Sequence, residues 1–356
     1  MKILIDIGHP AHIHLFRPFA IELQKKGYTI LFTYREKEFE RNLLESYGFN
    51  SICIGKHYKS TINKVFGLLK FNYHLLKVAK DFKPDIFLSH GSMYAAQTSY
   101  ILRKPHISLE DTGNMEQICF YRPFTKTILS PDVLNTDLGL KQISYRSFHE
   151  LAYLSPKYFT PNRGVLERLQ IREGEKYAFI RFVSWKATHD KKHIGLSDTQ
   201  KEEIVEFLSS EMRVFISSED KLPDSLQKYS IRIEPQNIHH VLAYSEIVIS
   251  EGATMASEAG VLGVPSLYVN SQSRCYNEEQ EKYSTVFNFR NGLGVLNKIE
   301  EIISNSKYQE NAKKGSQKLL NDKIDLTALL SWFIENYPNS PKVLRENPNY
   351  QDKFKN

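Results

Sequence analysis

The 356-residue chain is predicted to fold as an α/β protein made of two doubly wound parallel-sheet domains. Three observations predict this. The length exceeds the ~250–300 residues at which a single core stops growing. Short apolar runs alternate with helix-periodic segments in two separate series, the pattern of a parallel sheet covered by helices on both faces. Between the series lies a stretch over 131–176 that carries Pro131, Pro156, Pro161 and Gly164 and little periodicity.

The first series opens with a strand over 2–7 (KILIDI), a Gly-Pro loop, and a helix over 15–26 that Gly27 stops. It continues with a strand over 28–34, a helix over 36–47 closed by Gly48, a strand over 50–54 and a helix over 61–82. A strand over 85–89, a helix over 92–102 and a strand over 105–109 complete it. The second series has strands over 177–183, 213–217, 246–249 and 265–269, with helices over 198–210, 237–244 and 254–262 between them. A last helix pattern covers 325–336. The expected domains are therefore 1–155 and 177–325, joined by a linker over 156–176 and followed by a C-terminal helix and tail over 326–356. Two such domains facing across a cleft direct their strand C-termini toward it, where open parallel sheets bind ligands.

Hydrophobic content of 41% with 25% charged residues excludes wholesale disorder. Cys53, Cys119 and Cys275 are scattered and form no CxxC, and no His/Cys cluster has ligand spacing, so neither a disulfide framework nor a metal is expected. No signal peptide or spanning segment is read, and the expected location is cytoplasmic. Residues 1–165 hold 22 Lys+Arg against 14 Asp+Glu (+8), whereas 166–356 hold 25 against 27 (−2). The first half is thus expected to meet an anionic partner, or to carry a solvated basic face. Its basic, helix-periodic region 56–83 suits docking on anionic lipid at the inner face of the plasma membrane; equally, its apolar stripe suits the core side of a surface helix. Nucleic acid is not expected, since no basic stretch is interleaved with aromatics in a recognisable module.

The chemistry is expected at strand C-termini. Ile247–Ser250 runs into Glu251-Gly252-Ala253-Thr254 and directly into a helix, a turn that lets backbone approach a ligand and offers free N–H groups to a diphosphate. Thr254 adds a hydroxyl, and Glu258 lies one turn later as an acceptor for ribose hydroxyls; the plainer reading is Thr254 as N-cap and Glu258 as a solvated acid. Arg181 and Ser184 after one strand, and Ser217 after another, share that rim, and a guanidinium matches phosphate bidentately. Trp185 and Lys186 extend the first of these loops. In the first domain, Gly8-His9-Pro10-Ala11-His12-Ile13-His14 places imidazoles after the first strand, and a neutral imidazole suits removal of a hydroxyl proton near neutral pH. His90 and the Glu110-Asp111 pair follow two further strands. They serve an acceptor or assist the base, or else only cap the next helix.

The Gly252–Glu258 segment resembles the donor-binding signature of GT-B glycosyltransferases, particularly the glucosaminyltransferase of lipid II synthesis, and of the nonhydrolysing UDP-N-acetylglucosamine 2-epimerases. In that pattern a glutamate six positions after the turn glycine binds the ribose, and Gly252 and Glu258 have this separation. His12 lies 15 positions before Gly27, with Ala20 and Leu23 between them, as in the Gly-His loop of GT-B enzymes; Leu15 stands where their proline is usual. Ser89-His90-Gly91-Ser92 and Leu109-Glu110-Asp111 resemble the epimerase segments His-Gly-Asp-Thr and Val-Glu-Ala-Gly, with Ser92 replacing the carboxylate. The segment 234–240 resembles in position the one that holds the nucleotide base in GT-B glycosyltransferases, which implies the same place here. The resemblance implies a GT-B fold and a metal-independent glycosyltransferase without a further cofactor. The donor would be a nucleotide sugar, with UDP as the expected nucleotide, and the acceptor a saccharide or lipid-linked hydroxyl in cell-surface polysaccharide or glycolipid synthesis. His12 and Glu110 would be catalytic. Arg181, Ser184, Ser217, Gly252, Ala253, Thr254 and Glu258 would hold the donor. His9, His14, His90 and Asp111 would serve the acceptor. A sugar-nucleotide 2-epimerase or hydrolase, and a non-catalytic nucleotide-sugar-binding protein, are the alternatives.

Overall fold

The computed structural model describes residues 1–56, 61–184 and 195–355. The chain divides into two compact units, Met1–Tyr153 with Ile324–Asn356, and Leu154–Lys323.

The first unit runs β1 (Lys2–Ile7), α1 (Pro10–Lys25), β2 (Thr29–Glu36), α2 (Glu40–Ser46), β3 (Ser51–Lys56), α3 (Thr61–Phe82), β4 (Ile86–His90), α4 (Met93–Ile101), β5 (His106–Leu109), α5 (Met115–Tyr121), β6 (Thr127–Pro131) and β7 (Gln142–Tyr145). The short helix α6 (Leu151–Leu154) follows, and the chain passes to the second unit at its last residue. All seven strands pair in parallel in the order β3-β2-β1-β4-β5-β6-β7. Ile3, Leu4, Ile5 and Ile7 of β1 are fully buried because this strand is central and covered on both faces, which explains its nearly continuous apolar run.

The second unit contains α7 (Gly164–Arg168), β8 (Tyr177–Phe182), α8 (Asp198–Glu211), β9 (Arg213–Ser218), α9 (Ile238–Leu242), β10 (Ile247–Ser250), α10 (Ala253–Val261), β11 (Ser266–Val269), α11 (Cys275–Glu281), β12 (Val286–Phe289), α12 (Val295–Ser304) and α13 (Lys307–Asp322). Its five strands are also parallel, in the order β12-β11-β10-β8-β9. After it, α14 (Leu326–Glu335) and α15 (Ser340–Glu346) return to the first unit.

Four sequence expectations are corrected. Residues 156–176 are not a linker: Val165, Leu166 and Ile171 enter the core of the second unit with Tyr177 and Val241, and the chain changes units at Tyr153/Leu154. The C-terminal helix is not a separate appendage. Leu326, Leu329, Leu330, Phe333 and Ile334 are buried, and α14 packs on α1, where Ser331 Oγ donates to Glu22 and Lys26 pairs with Glu335. The strands β6 and β7 were unforeseen because four- and five-residue runs such as QISY and TILSP carry too little pattern. Finally, α1 begins at Pro10 rather than 15. His9 is its N-cap, accepting the Ala11 N–H on Nδ1 at 3.2 Å, and Pro10 occupies a position where its missing N–H costs nothing.

Candidate active site

Strand order fixes where ligands meet each sheet. In the first unit the chain proceeds from β1 outward to β3 and then crosses to β4 on the other side, so the switch point lies between β1 and β4. The segment leaving β1 carries His9 and His12, and β4 itself ends on His90. In the second unit β8 leads to β9 on one side and β10 is laid on the other, so the switch point lies between β8 and β10. The segments leaving those strands carry Val183-Ser184 and Glu251-Gly252.

At the first switch point His12 stands in the opening turn of α1. Its ring stacks on His90 with centroids 4.4 Å apart, and its Nδ1 lies 3.4 Å from the Gly8 amide. His9 is 5.9 Å away, centroid to centroid. Burial, followed by the fields of His90, His9 and His149, holds the His12 imidazole well below the ordinary histidine range, so the ring is neutral at pH 7. Asp111 joins this group through two imidazoles. Its Oδ1 accepts from His90 Nε2 and its Oδ2 from His149 Nδ1, each at 2.9 Å. Burial opposes its charge, but the two imidazoles outweigh burial and hold Asp111 well below the usual carboxylate range. Burial likewise opposes the charge of His90, and Asp111 more than offsets it, so His90 titrates above a free histidine. The result is a neutral ring stacked on one that is held toward its charged form.

The remaining carboxylates of this rim are occupied. Glu110 is 2% exposed; its Oε1 accepts from Thr112 N, Thr112 Oγ1 and Gly113 N, and its Oε2 from Tyr121 at 2.6 Å. It therefore holds its own turn, and Asn114, not Glu110 or Asp111, caps α5. Asp6, fully buried near the end of β1, accepts from Thr33 Oγ1 at 2.8 Å, Arg35 at 2.9 Å and Ser92 Oγ at 2.5 Å. Ser92 also caps α4 by accepting the Ala95 amide. His14 does not belong to this rim. It is 6% exposed, meets the Tyr47 hydroxyl at 3.1 Å and stacks on Tyr153.

Asp6, Arg35 and His149 were missed from sequence. An acid inside an otherwise apolar strand was the available sign for Asp6, whereas nothing local marks His149. The ligand-capable atoms of His90, Asp111 and His149 lie within 4.8 Å of one another, a spacing that a metal ion would also accept. This corrects the expectation that no such cluster exists; here imidazole N–H groups hold both Asp111 oxygens.

At the second switch point Gly252 is the N-cap of α10 and supplies no side-chain cap, so Thr254 is not the capping residue. The amides of Ala253, Thr254 and Met255 find no acceptor among the described residues. Ser250 fixes the turn by accepting the Gly252 N–H at 3.0 Å and donating to the Gly252 carbonyl at 2.7 Å. Glu251, 1% exposed, accepts the amides of Val183 at 3.0 Å and Leu196 at 2.9 Å. Arg181 reaches Ser217 Oγ at 2.8 Å and Glu219 at 2.7 Å, and Glu219 also accepts the Ser184 amide. Glu258 is not solvated: it is 5% exposed and meets His239 Nε2 at 2.9 Å. Trp185 and Lys186 lie outside the described residues. Arg274, which follows β11, was not foreseen; Asn270 ties the same loop to the Glu251 carbonyl at 2.9 Å.

Two parallel-sheet units of this kind define the GT-B class of fold. The chain belongs to the family described as "Protein of unknown function (DUF354)", whose family model matches residues 1–338. It is 22% identical over 330 residues to the UDP-N-acetylglucosamine–N-acetylmuramyl-(pentapeptide) pyrophosphoryl-undecaprenol N-acetylglucosamine transferase of Blochmanniella floridana, covering 85% of each chain. Among solved structures it is similar to the UDP-GlcNAc 2-epimerase from Neisseria meningitidis bound to UDP-GlcNAc (TM-score 0.63, 14% identity, 97% of this chain and 99% of that one). It is also similar to the spinosyn rhamnosyltransferase (TM-score 0.63, 13% identity, 94% of this chain and 100% of that one). No described helix is long and apolar enough to cross a membrane.

Proposed function

We propose that the protein is a metal-independent glycosyltransferase that moves a sugar from a nucleoside diphosphate, expected to be UDP, to a hydroxyl acceptor. The open start of α10 at the second switch point carries the donor half of this reading. Three amides that find no acceptor among the described residues, at the positive end of a helix, suit a diphosphate, and Arg181 adds a guanidinium at the same rim. As the bond to the anomeric carbon breaks, the leaving diphosphate gains charge that those amides and Arg181 stabilise. His12 takes the acceptor proton, since a base must be unprotonated to act and its surroundings keep it so. His9 and His90 flank it on the acceptor side, and Asp111 fixes His90. Glu110 acts through the turn that presents Asp111.

Epimerisation is less well supported. In the epimerase pattern a carboxylate stands where this chain has Ser92, and the nearby Asp6 is buried and neutralised by Arg35. A cytoplasmic enzyme attached peripherally to the membrane fits α3, which buries Phe71, Leu75 and Ala79 while leaving Leu69 and Tyr73 each 66% exposed beside Lys70 and Lys77. Such a surface suits a lipid-linked acceptor and a role in cell-surface polysaccharide or glycolipid synthesis.

The test is product analysis with UDP-sugars and a panel of saccharide and lipid-linked acceptors. UDP release that depends on acceptor is the expected result. Conversion of UDP-N-acetylglucosamine to a 2-epimer or free sugar without acceptor replaces transfer with epimerisation or hydrolysis. Binding that is never followed by turnover with any acceptor makes this a binding protein.

A further inference from the structure

At the end of the first sheet opposite the imidazole rim, where strands begin rather than finish, the chain gathers cations beside aromatic rings. Arg103 follows α4, Lys104 stands two residues before β5, and Lys126 immediately precedes β6. Together with Tyr100, Phe124 and Tyr337 they line a cavity of about 330 Å³. Tyr100 and Phe124 meet edge to face with centroids 5.4 Å apart, and Tyr100 remains 64% exposed.

The charge here is poorly compensated. Lys104 meets Asp85 only at 3.9 Å across exposed side chains, while Asp85 also accepts the Lys2 amide. The Arg103 guanidinium and the Lys126 ammonium have no ion-pair or hydrogen-bond partner among the described residues. Behind them Lys141 donates to the carbonyls of Arg122 and Pro123, and burial, then Lys126 and Arg122, push its ammonium below the ordinary lysine range. Like charges gathered on one cavity repel one another until an anion arrives. A guanidinium offers a planar fork to phosphate, two ammonium groups add point charges, and ring faces accept an apolar or planar body.

We propose that this cavity binds a phosphate ester, its phosphate held by Arg103, Lys104 and Lys126 and its apolar or planar moiety lying on Tyr100, Phe124 and Tyr337. The volume suits a small ligand or the headgroup end of a larger one. None of these residues takes part in the donor or acceptor sites described above, so this is a second, independent ligand site.

The test titrates the full chain calorimetrically with phenyl phosphate, inorganic phosphate and benzyl alcohol at low and high salt. It is paired with sedimentation against phosphatidic acid and phosphatidylcholine vesicles. The comparison variant is Arg103→Ala/Lys126→Ala; both side chains are exposed and unpaired, so an unchanged Tm and an unchanged response to UDP verify its fold. Phenyl phosphate is expected to saturate one salt-sensitive site, benzyl alcohol not to bind, and the variant to bind at least tenfold more weakly. Loss of phosphatidic acid binding in the variant, without free phosphate ester binding in the wild type, assigns the ester to a lipid headgroup and upholds the site. Equal binding by wild type and variant, or binding in neither arm, overturns it.

Discussion

The hydroxyl of Ser92 donates to the buried carboxylate of Asp6 at 2.5 Å, joining the start of α4 to the end of β1. Because Ser92 also caps α4, Ser92→Ala removes a cap and a donor to a buried charge together, and is expected to cost about 1–3 kcal/mol in urea unfolding. Ser92→Asp should destabilise further, since it sets a second carboxylate against Asp6, and should create no 2-epimerase activity. Appearance of the 2-epimer in that variant would show that only this carboxylate separates the two reactions.

His12→Ala is expected to lower acceptor-dependent turnover by roughly 10²–10⁴-fold while leaving UDP affinity unchanged. The wild-type pH profile should keep its activity below the ~6.5 of a free histidine, because a lowered His12 stays unprotonated there. An acid limb at or above that value would assign the base to another group.

Buried His106 bridges Ser89 Oγ at 2.9 Å and Thr125 Oγ1 at 2.8 Å, and burial depresses it to about 3. The folded ring stays neutral while the unfolded chain binds a proton below ~6.5, so stability is present above that pH and drains away between it and about 3. The full loss is on the order of a few kcal/mol. Denaturant midpoints measured from pH 7 to 4 should fall accordingly, and His106→Gln should flatten that slope even though it lowers stability at pH 7.

Glu251→Ala strands the buried amide of Leu196 and removes the acceptor of Val183, and is expected to cost about 2–4 kcal/mol. Hydrogen exchange should register the loss in β8 and β10 and leave β1 and β4 unchanged. Arg181→Ala, by contrast, should leave stability nearly intact and reduce the thermal shift produced by saturating UDP.

Much of the architecture was legible because β1, β4, β8 and β10 are central strands whose continuous apolar runs end at glycine-containing or histidine-containing segments. Strands such as β6 and β7 were not, since a four-residue parallel strand owes its form to the neighbour it pairs with. The site was legible by strand termini but not by hydrogen bonds. Nothing in Glu110 or Glu258 announces that the first is consumed by Thr112 and Tyr121 and the second by His239. Nor does local sequence connect His149 to Asp111, because their meeting depends on the β6–β7 crossover.

The division of the first unit between residues 1–153 and 324–356 bears on how the protein is made. A ribosome delivers β1 and α1 first, yet the helix that covers α1 emerges only after the entire second unit has been translated. The nascent first unit must therefore wait with Leu326 and Phe333 absent and an apolar face uncovered, a state that invites chaperone attention. The second unit, continuous in sequence, is free to fold during that wait. Of the two, the one begun first is the last to be finished.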